Sequence, residues 1–132
     1  MSRIILLVED AEDAAAALEI ALAGLPDAQV LRVADGLRAV EYLAPENGHP
    51  VDAVVTDLQL PFLDGFELIR RIRQQPRLRQ APVVVVSGHR DPKAPERALA
   101  LGADAFFPKP CSPLQVRKTI EDLWRDRPAR SL

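Results

Sequence analysis

Short apolar runs alternate with amphipathic segments along the whole chain. Five runs in which the apolar residues are consecutive, or alternate with polar ones, predict β-strands: 4–8 (IILLV), 28–34 (AQVLRVA), 51–57 (VDAVVTD), 81–88 (APVVVVSG) and 103–109 (ADAFFPK). Five segments whose apolar residues recur every three or four positions predict helices: 12–25, 36–44, 65–75, 94–102 and 112–127. Gly102 is a predicted helix C-cap, and Ser112 followed by Pro113 predicts the start of the last helix.

Strands that alternate with helices predict βαβ units, which form a parallel sheet with helices on both faces. Pro108 places the fifth strand at an edge, because proline cannot donate a ladder hydrogen bond. The alternating second strand suits the opposite edge. The predicted fold class is therefore α/β, a flavodoxin-like (βα)5 doubly wound sheet of five parallel strands in the order 2-1-3-4-5. We expect one domain over residues 1–127 and a frayed C-terminal tail over 128–132.

Composition supports one globular domain and excludes several other classes. The chain has 132 residues, of which 48% are hydrophobic and 27% charged. Its formal net charge of -2 gives no basic field for direct nucleic-acid binding. Cys111 is the single cysteine, so no internal disulfide can form. The first apolar run is too short for a signal peptide and no run reaches transmembrane length, so we expect a cytoplasmic protein without membrane insertion.

Acidic and polar residues fall where the predicted strands end. Glu9 and Asp10 follow the first strand, Asp57 ends the third, Ser87 the fourth and Lys109 the fifth. In the predicted strand order these ends are neighbours at the edge where such sheets bind ligands. Three carboxylates so close repel one another unless a cation lies among them, and hard oxygen ligands favour Mg²⁺. A lysine, a hydroxyl and a cation around a free carboxylate predict phosphoryl binding, with Asp57 as the nucleophile.

Four sequence motifs together resemble the response-regulator receiver domain of two-component signalling. They are LLVED (6–10), VVTDLQLPFLDGFEL (54–68), PVVVVSG (82–88) and GADAFFPKP (102–110). Each motif alone is weak, but all four occur in the family's order. The resemblance covers residues 4 to 110, which is most of the chain.

The resemblance implies an acceptor and a metal site. Asp57 would accept a phosphoryl group from a kinase phosphohistidine. Asp10 would bind Mg²⁺, or Mn²⁺, directly, and Glu9 would hold it mainly through water. The backbone carbonyl of Gln59 would complete the protein's share of the coordination. As such a domain, the chain would not be an enzyme beyond its own phosphorylation and slow dephosphorylation.

The resemblance also implies a conformational switch. Ser87 would donate its hydroxyl to a phosphoryl oxygen, and Lys109 would neutralise another. Phe106, three residues before the lysine, matches the aromatic switch position, whose ring turns inward when the hydroxyl residue moves towards the phosphate. The surface of helix 4, strand 5 and helix 5 would change as a result. The Lys109–Pro110 peptide bond matches one that is usually cis in the family.

Two residues near the hydroxyl could modulate the chemistry, and two others depart from the family pattern. Gly88 is small and leaves access to the phosphoryl site. His89 matches a position that influences phosphoryl lifetime, although a solvated loop histidine is the commoner situation. Pro108, directly before the lysine, is unusual. Cys111 stands where an aromatic residue often follows Lys-Pro.

The implied partners are a histidine kinase or phosphotransfer protein and an unknown downstream protein, and a homodimer could form on phosphorylation. The chain could be a free single-domain regulator, which Met1 favours slightly, or a receiver segment of a hybrid histidine kinase or longer regulator. A flavodoxin-like ligand-binding module is a poor alternative, because the acidic residues after the first strand would repel phosphate. A dehalogenase-type hydrolase would want an acid at Gln59, and a pseudo-receiver would lack catalytic residues that are present here.

Three further side-chain groups have structural interpretations. Asp64 is predicted to be a turn residue. The arginines of the third predicted helix and beyond form a predicted solvated face: Arg70, Arg71, Arg73, Arg77 and Arg79. Trp124, near the end of the last helix, is predicted to cover the core.

Overall fold

A computed structural model describes residues 2–127 of the chain. The predicted tail at 128–132 lies outside these residues. Within them the strands are β1 (Arg3–Val8), β2 (Ala28–Val33), β3 (Ala53–Thr56), β4 (Val83–Ser87) and β5 (Ala105–Pro108). The helices are α1 (Glu12–Leu22), α2 (Gly36–Leu43), α3 (Gly65–Arg73), α4 (Ala94–Leu101) and α5 (Pro113–Arg125). Two short 3-10 turns, Pro45–Asn47 and Pro76–Leu78, follow α2 and α3.

The five strands of the described residues pair in parallel in the order β2-β1-β3-β4-β5, which confirms the predicted topology. Pro108 ends β5 at one edge of the sheet, where its missing N–H interrupts no ladder. The pairing aligns Val8 of β1 with Thr56 of β3. The carboxyl ends of the central strands therefore lie side by side, and the residues that follow them share one edge.

The sheet separates two apolar cores. Alternate residues of β1, β3 and β4 face α1 and α5 on one side, and the other residues face α2, α3 and α4. Fully buried side chains in the first core include Ile5, Leu7, Leu22 and Ile120, and those in the second include Leu6, Leu68, Ile69 and Ile72. Trp124 packs on the first core and its indole N–H donates to the Asp52 carbonyl at 2.8 Å. The prediction that Trp124 covers the core is confirmed.

Polar side chains and one glycine define the helix ends. Ser112 accepts a hydrogen bond from the Gln115 N–H at 3.3 Å, and Gly102 ends α4 with φ of 119°, so both predicted caps are confirmed. Asp64 was predicted to be a turn residue. It is the N-cap of α3, because its carboxylate accepts from the Glu67 N–H at 2.9 Å.

Strands β3 and β5 are shorter than the sequence pattern predicts. Side-chain hydrogen bonds explain the C-terminal end of β3 and the N-terminal end of β5. The predicted third strand includes Asp57, but the Asp57 carboxylate takes the N–H groups of the next two residues and turns the chain out of the sheet. The predicted fifth strand includes Asp104, but the Asp104 carboxylate accepts from the Val83 N–H at 2.8 Å in place of a backbone carbonyl. Both aspartates act as strand terminators.

The predicted solvated arginine face is correct for Arg70 and Arg71, which are exposed, but wrong for Arg73. The half-buried Arg73 guanidinium donates to the carbonyls of Gly102 and Leu78 at 2.9 and 3.0 Å. It thereby ties the end of α3 to the end of α4. None of the helices in residues 2–127 combines the length and the apolar character that a membrane crossing requires.

Candidate functional site

Three carboxylates meet at the carboxyl ends of β1 and β3. Glu9 and Asp10 follow β1, Asp57 follows β3, and each offers one oxygen within 4.8 Å of the others. Glu9 is 1% exposed and Asp57 is 5% exposed, whereas Asp10 lies at the surface. The Asp57 N–H donates to the Val8 carbonyl at 3.1 Å, which extends the β1–β3 pairing to the acid itself. The structure therefore brings together the three acids that the sequence places at neighbouring strand ends.

Lys109 supplies the cation in this cluster. Its Nζ lies 2.6 Å from Glu9 Oε1 and 2.9 Å from Asp57 Oδ2. Burial alone would lower the pKa of Lys109, but the hydrogen bonds and charges of Glu9 and Asp57 outweigh it and raise that pKa above its usual value. Among the described residues, Lys109 pairs with two of the three carboxylates, and the formal charges of three acids and one ammonium leave the cluster with an excess of negative charge.

Both oxygens of Asp57 are fixed. Oδ1 accepts the backbone N–H groups of Leu58 and Gln59 at 2.6 and 3.1 Å, while Oδ2 accepts from Lys109. The Thr56 hydroxyl donates to the Asp57 carbonyl at 2.8 Å. Gly65 allows α3 to begin against this turn, since an added Cβ would lie 2.3 Å from the same carbonyl oxygen. The buried acid at the end of an apolar strand is therefore held by its own loop and by a lysine.

An arginine of β2 holds the backbone of Glu9 and Asp10 by hydrogen bonds. The Glu9 Oε2 accepts from the Ala11 N–H at 3.1 Å. The Arg32 guanidinium donates to the Glu9 carbonyl at 3.1 and 3.0 Å and reaches the Asp10 carbonyl at 3.5 Å. Sequence reasoning missed Arg32. The available signal was a half-buried charged residue near the end of a mainly apolar strand, because such a side chain must find acceptors beyond the strand.

Ser87 and Lys109 form the β4–β5 side of the site. The Lys109 N–H donates to the Ser87 carbonyl at 3.0 Å, and the Lys109–Pro110 peptide bond is cis. The Ser87 hydroxyl is buried and accepts from the His89 N–H at 3.2 Å. Gly88 is exposed, and an added Cβ would meet only the Lys109 Cβ, at 3.9 Å, so its small size leaves open space.

A groove runs from Asp10 past Gln59 towards α4, and His89 and Arg97 line its far side. His89 is half-buried, and the centroids of the His89 and Phe66 rings lie 5.7 Å apart in an edge-to-face arrangement. The His89 Nδ1 accepts from the Asp91 N–H at 3.2 Å. This partly exposed loop position is compatible with the expectation of a solvated loop histidine. The Arg97 guanidinium lies 4.0 Å over the Phe66 ring. Neither this stacking nor the role of Phe66 follows from the sequence pattern.

Phe106 lies outside the acid cluster. It pairs with Val85 in the β4–β5 ladder and packs, half-buried, on the α2–α4 side of the sheet. Its role as a switch stays a prediction, as does the role of the Gln59 carbonyl, whose residue contributes its N–H to Asp57.

The donor set fits a hard divalent cation. The cluster offers oxygen atoms from three carboxylates, and one of these residues, Asp10, lies at the surface. Mg²⁺ binds through one or two carboxylates and keeps several waters, which an open site of this kind permits. The excess negative charge of the cluster also favours such an ion.

Comparisons with known proteins agree with this geometry. The family model described as response regulator receiver domain matches residues 5–121. Response regulator GtcR of Aneurinibacillus migulanus is 32% identical over 121 residues, which are 92% of this chain and 47% of that protein. Two-component response regulator ARR17 of Arabidopsis thaliana is 33% identical over 99 residues, or 68% of this chain and 65% of that protein. The chain thus spans about half to two-thirds of the length of these relatives.

Solved structures show the same fold. The phosphorylated cyanobacterial phytochrome response regulator RcpA superposes with a TM-score of 0.82 at 28% identity and covers 98% of this chain and 100% of that one. The Mn²⁺-bound response regulator Rcp1 gives 0.81 at 25% identity, with 98% and 99% covered. The receiver domain of a histidine kinase from Syntrophus aciditrophicus gives 0.82 at 31% identity, with 95% and 92% covered. The chain belongs to the response regulator receiver domain family of two-component signalling.

Proposed function

We propose that Asp57 accepts a phosphoryl group from a phosphohistidine, and that the domain signals through the surface formed by α4, β5 and α5. The observation that carries this proposal is the buried Asp57 carboxylate, fixed through both oxygens beside Glu9, Asp10 and Lys109. A carboxylate that is desolvated and oriented in this way is a suitable nucleophile.

The proposed transfer forms one bond to phosphorus and breaks another. An Asp57 carboxylate oxygen forms a bond to phosphorus as the bond between phosphorus and the donor imidazole nitrogen breaks. The imidazole nitrogen keeps the bonding electron pair and takes a proton from solvent. Lys109 Nζ already lies 2.9 Å from Asp57 Oδ2, so the ammonium is in place to neutralise charge on a phosphoryl oxygen. The Ser87 hydroxyl, which lies at the end of the adjacent strand, would donate to another.

A divalent cation, Mg²⁺ or Mn²⁺, would be held by Glu9, Asp10, Asp57 and the Gln59 carbonyl. When bound, the cation neutralises charge on the acids and on the phosphoryl oxygens. The acid cluster and the existence of a Mn²⁺-bound form of the similar Rcp1 support this assignment.

The proposed output depends on the link between the site and the edge of the sheet. Ser87 and Phe106 lie on adjacent paired strands, so a movement of Ser87 towards a phosphoryl group would be transmitted to Phe106 and to α4. Gly88 and His89, at the rim, would modulate access of water. The proposed output is binding to a downstream protein, or formation of a homodimer on phosphorylation. We also propose that residues 1–127 form a single domain.

The greater length of GtcR and ARR17 favours a receiver that acts within, or beside, a longer protein. A histidine kinase or phosphotransfer protein would be the donor. The similarity to the receiver domain of a histidine kinase supports that role.

Intact-mass measurement after incubation with acetyl phosphate and Mg²⁺ tests the acceptor. We expect one phosphoryl adduct, stable in acid and labile in base, that is absent with a chelator and absent in Asp57→Asn. Asp13→Asn is the matched control, because Asp13 is an exposed acid in the first turn of α1. An adduct that persists in Asp57→Asn, or no adduct on the wild type, would contradict the proposal.

A further inference from the structure

Phe62 combines two unfavourable features. Its φ is 71°, in the left-handed region that side chains other than glycine rarely adopt, and the Leu63 N–H donates to the Pro61 carbonyl at 2.8 Å across it. The residue is also 81% exposed, more than any other large hydrophobic residue in the described part of the chain. The other described non-glycine residue with positive φ is Asp27, and aspartate tolerates that region far better than phenylalanine does.

The loop that carries Phe62 is held firmly. The Gly65 N–H donates to the Leu58 carbonyl at 2.9 Å, which closes the loop at its base. The loop also packs against the start of α2, since a Cβ added at Gly36 would lie 2.1 Å from the Leu63 carbonyl oxygen. Leu60 and Leu63 pack partly on the core, whereas Phe62 between them stays exposed. The loop thus presents to solvent an aromatic ring on a strained backbone, and backbone strain of this kind is a reason to look for a function.

The place of Phe62 in the loop indicates which partner it would meet. The loop starts directly after Asp57, and its residues Gln59 and Pro61 line the groove that leads from Asp10. A protein that brings a phosphorylated side chain to Asp57 must cover this rim, and Phe62 is the next residue after Pro61. A small phosphodonor can enter without touching it.

We propose that Phe62 is a binding anchor for the protein phosphodonor, inserted into an apolar recess beside the donor's phosphohistidine. This inference rests on the proposed function, because it needs transfer to Asp57. Exposed aromatic residues on rigid supports contribute a large share of binding energy when a partner buries them. In the complex with the donor, the ring becomes buried, and this burial offsets the cost of its exposure and of its strained backbone in the free protein.

Phe62→Asn tests the proposal, because asparagine accepts the left-handed conformation but cannot fill an apolar recess. The donor is the histidine kinase that transfers fastest to the wild-type chain among a panel of purified, autophosphorylated kinases. We expect kcat/KM for that transfer to fall by about tenfold or more. Labelling by acetyl phosphate stays unchanged, and relief of strain raises the melting temperature by about 2–5 °C.

Ile20→Gln is the matched control, because Ile20 is an apolar residue that is 77% exposed near the end of α1, on the other face of the sheet and away from the loop. Its transfer rate should equal that of the wild type. Equal transfer to the wild type and Phe62→Asn overturns the proposal, as does an equal loss in the control. A change in self-association without a change in transfer also overturns it. The absence of any donor in the panel would instead contradict transfer from a phosphohistidine, which is the proposed function. Loss of acetyl phosphate labelling in the wild type would also contradict the proposed function.

Discussion

The two edges of the sheet each hold a carboxylate with basic partners, but the balance of charge differs. At the carboxyl edge, three acids lie together and Lys109 pairs with two of them, Glu9 and Asp57. At the amino edge, one acid, Asp104, is surrounded by the guanidinium groups of Arg73 and Arg127 and by the Val83 N–H. Arg73 Nη2 lies 3.1 Å from Asp104 Oδ2, and Arg127 also pairs with this carboxylate.

The difference separates a structural cluster from a functional one. At the amino edge, every described group has a partner of the same chain, and the cluster joins the ends of α3, β4, β5 and α5. Burial and the neighbouring Arg127 lower the pKa of Arg73, while Asp104 opposes this shift. At the carboxyl edge the excess charge is negative and partly buried, and a divalent cation can relieve such an excess and so allow a phosphoryl group to bind.

The largest expected effect is at the amino edge. Asp104→Asn leaves Arg73 and Arg127 side by side without a carboxylate, so we expect a loss of about 2–4 kcal/mol in the free energy of unfolding. Urea denaturation measures it. Acetyl phosphate labelling of the folded protein should persist. Asp122→Asn, which breaks only exposed pairs on α5, should change stability by about 0.5 kcal/mol or less. Similar stabilities of the two variants would contradict the structural role of Asp104.

The second effect is at the carboxyl edge without metal. Lys109→Met removes the shared cation of Glu9 and Asp57, and we expect a loss of about 1–3 kcal/mol in chelator, below the value for a fully buried pair because Lys109 is partly exposed. Saturating Mg²⁺ should shrink this loss, since the ion replaces part of the missing charge. Urea midpoints in both conditions check it. A loss that is equal with and without Mg²⁺ would show that Lys109 and the ion do not share the acids.

A smaller and opposite effect is expected for Asp57→Asn. The asparagine oxygen can keep the N–H groups of Leu58 and Gln59, while one of three crowded negative charges disappears. We expect the metal-free fold to gain about 1 kcal/mol or less, because Lys109 already offsets much of the roughly 4 kcal/mol repulsion of two charges 4 Å apart at intermediate dielectric. Thermal melts in chelator measure the gain. Identical melting temperatures would count against repulsion among the acids.

The smallest effect concerns an exposed cluster that serves as a reference for both edges. Hydrogen bonds from Arg70 and Arg71 lower the pKa of Glu67 from 4.5 to about 2. A lowered pKa means that the stabilisation is complete above pH 4.5 and is lost as the pH falls towards 2. The difference in melting temperature between the wild type and Glu67→Gln should therefore be small at neutral pH and should vanish over that range. A difference that grows on acidification would refute the assignment.

The strand order of the sheet and the proximity of the three acids could both be predicted from the sequence. Pro108 and the alternation of the second strand placed the two edges, and the order of the strands then made Glu9, Asp10 and Asp57 neighbours. Periodicity reports which face of an element is buried, whereas the hydrogen bonds of the Asp57 and Asp104 carboxylates set one end of β3 and one end of β5.

The sequence did not predict the long side chains that connect distant segments. Arg32 and Arg73 reach backbone carbonyls that only the folded chain brings near. Helical periodicity assigned Arg73 to the solvent because it records the direction of a side chain and not its reach. The positive φ of Phe62 was also not predicted, because phenylalanine disfavours this conformation and the surrounding loop imposes it.

Magnesium binding is the most direct test that the acids at the carboxyl edge crowd together to hold a cation. The melting temperature of the wild type should rise with the logarithm of the Mg²⁺ concentration above the dissociation constant, with a gain of about 1.4 kcal/mol at ten times that constant. Asp10→Asn should lose this rise, and Asp13→Asn should keep it. No rise in the wild type, or an equal rise in Asp10→Asn, would contradict the account.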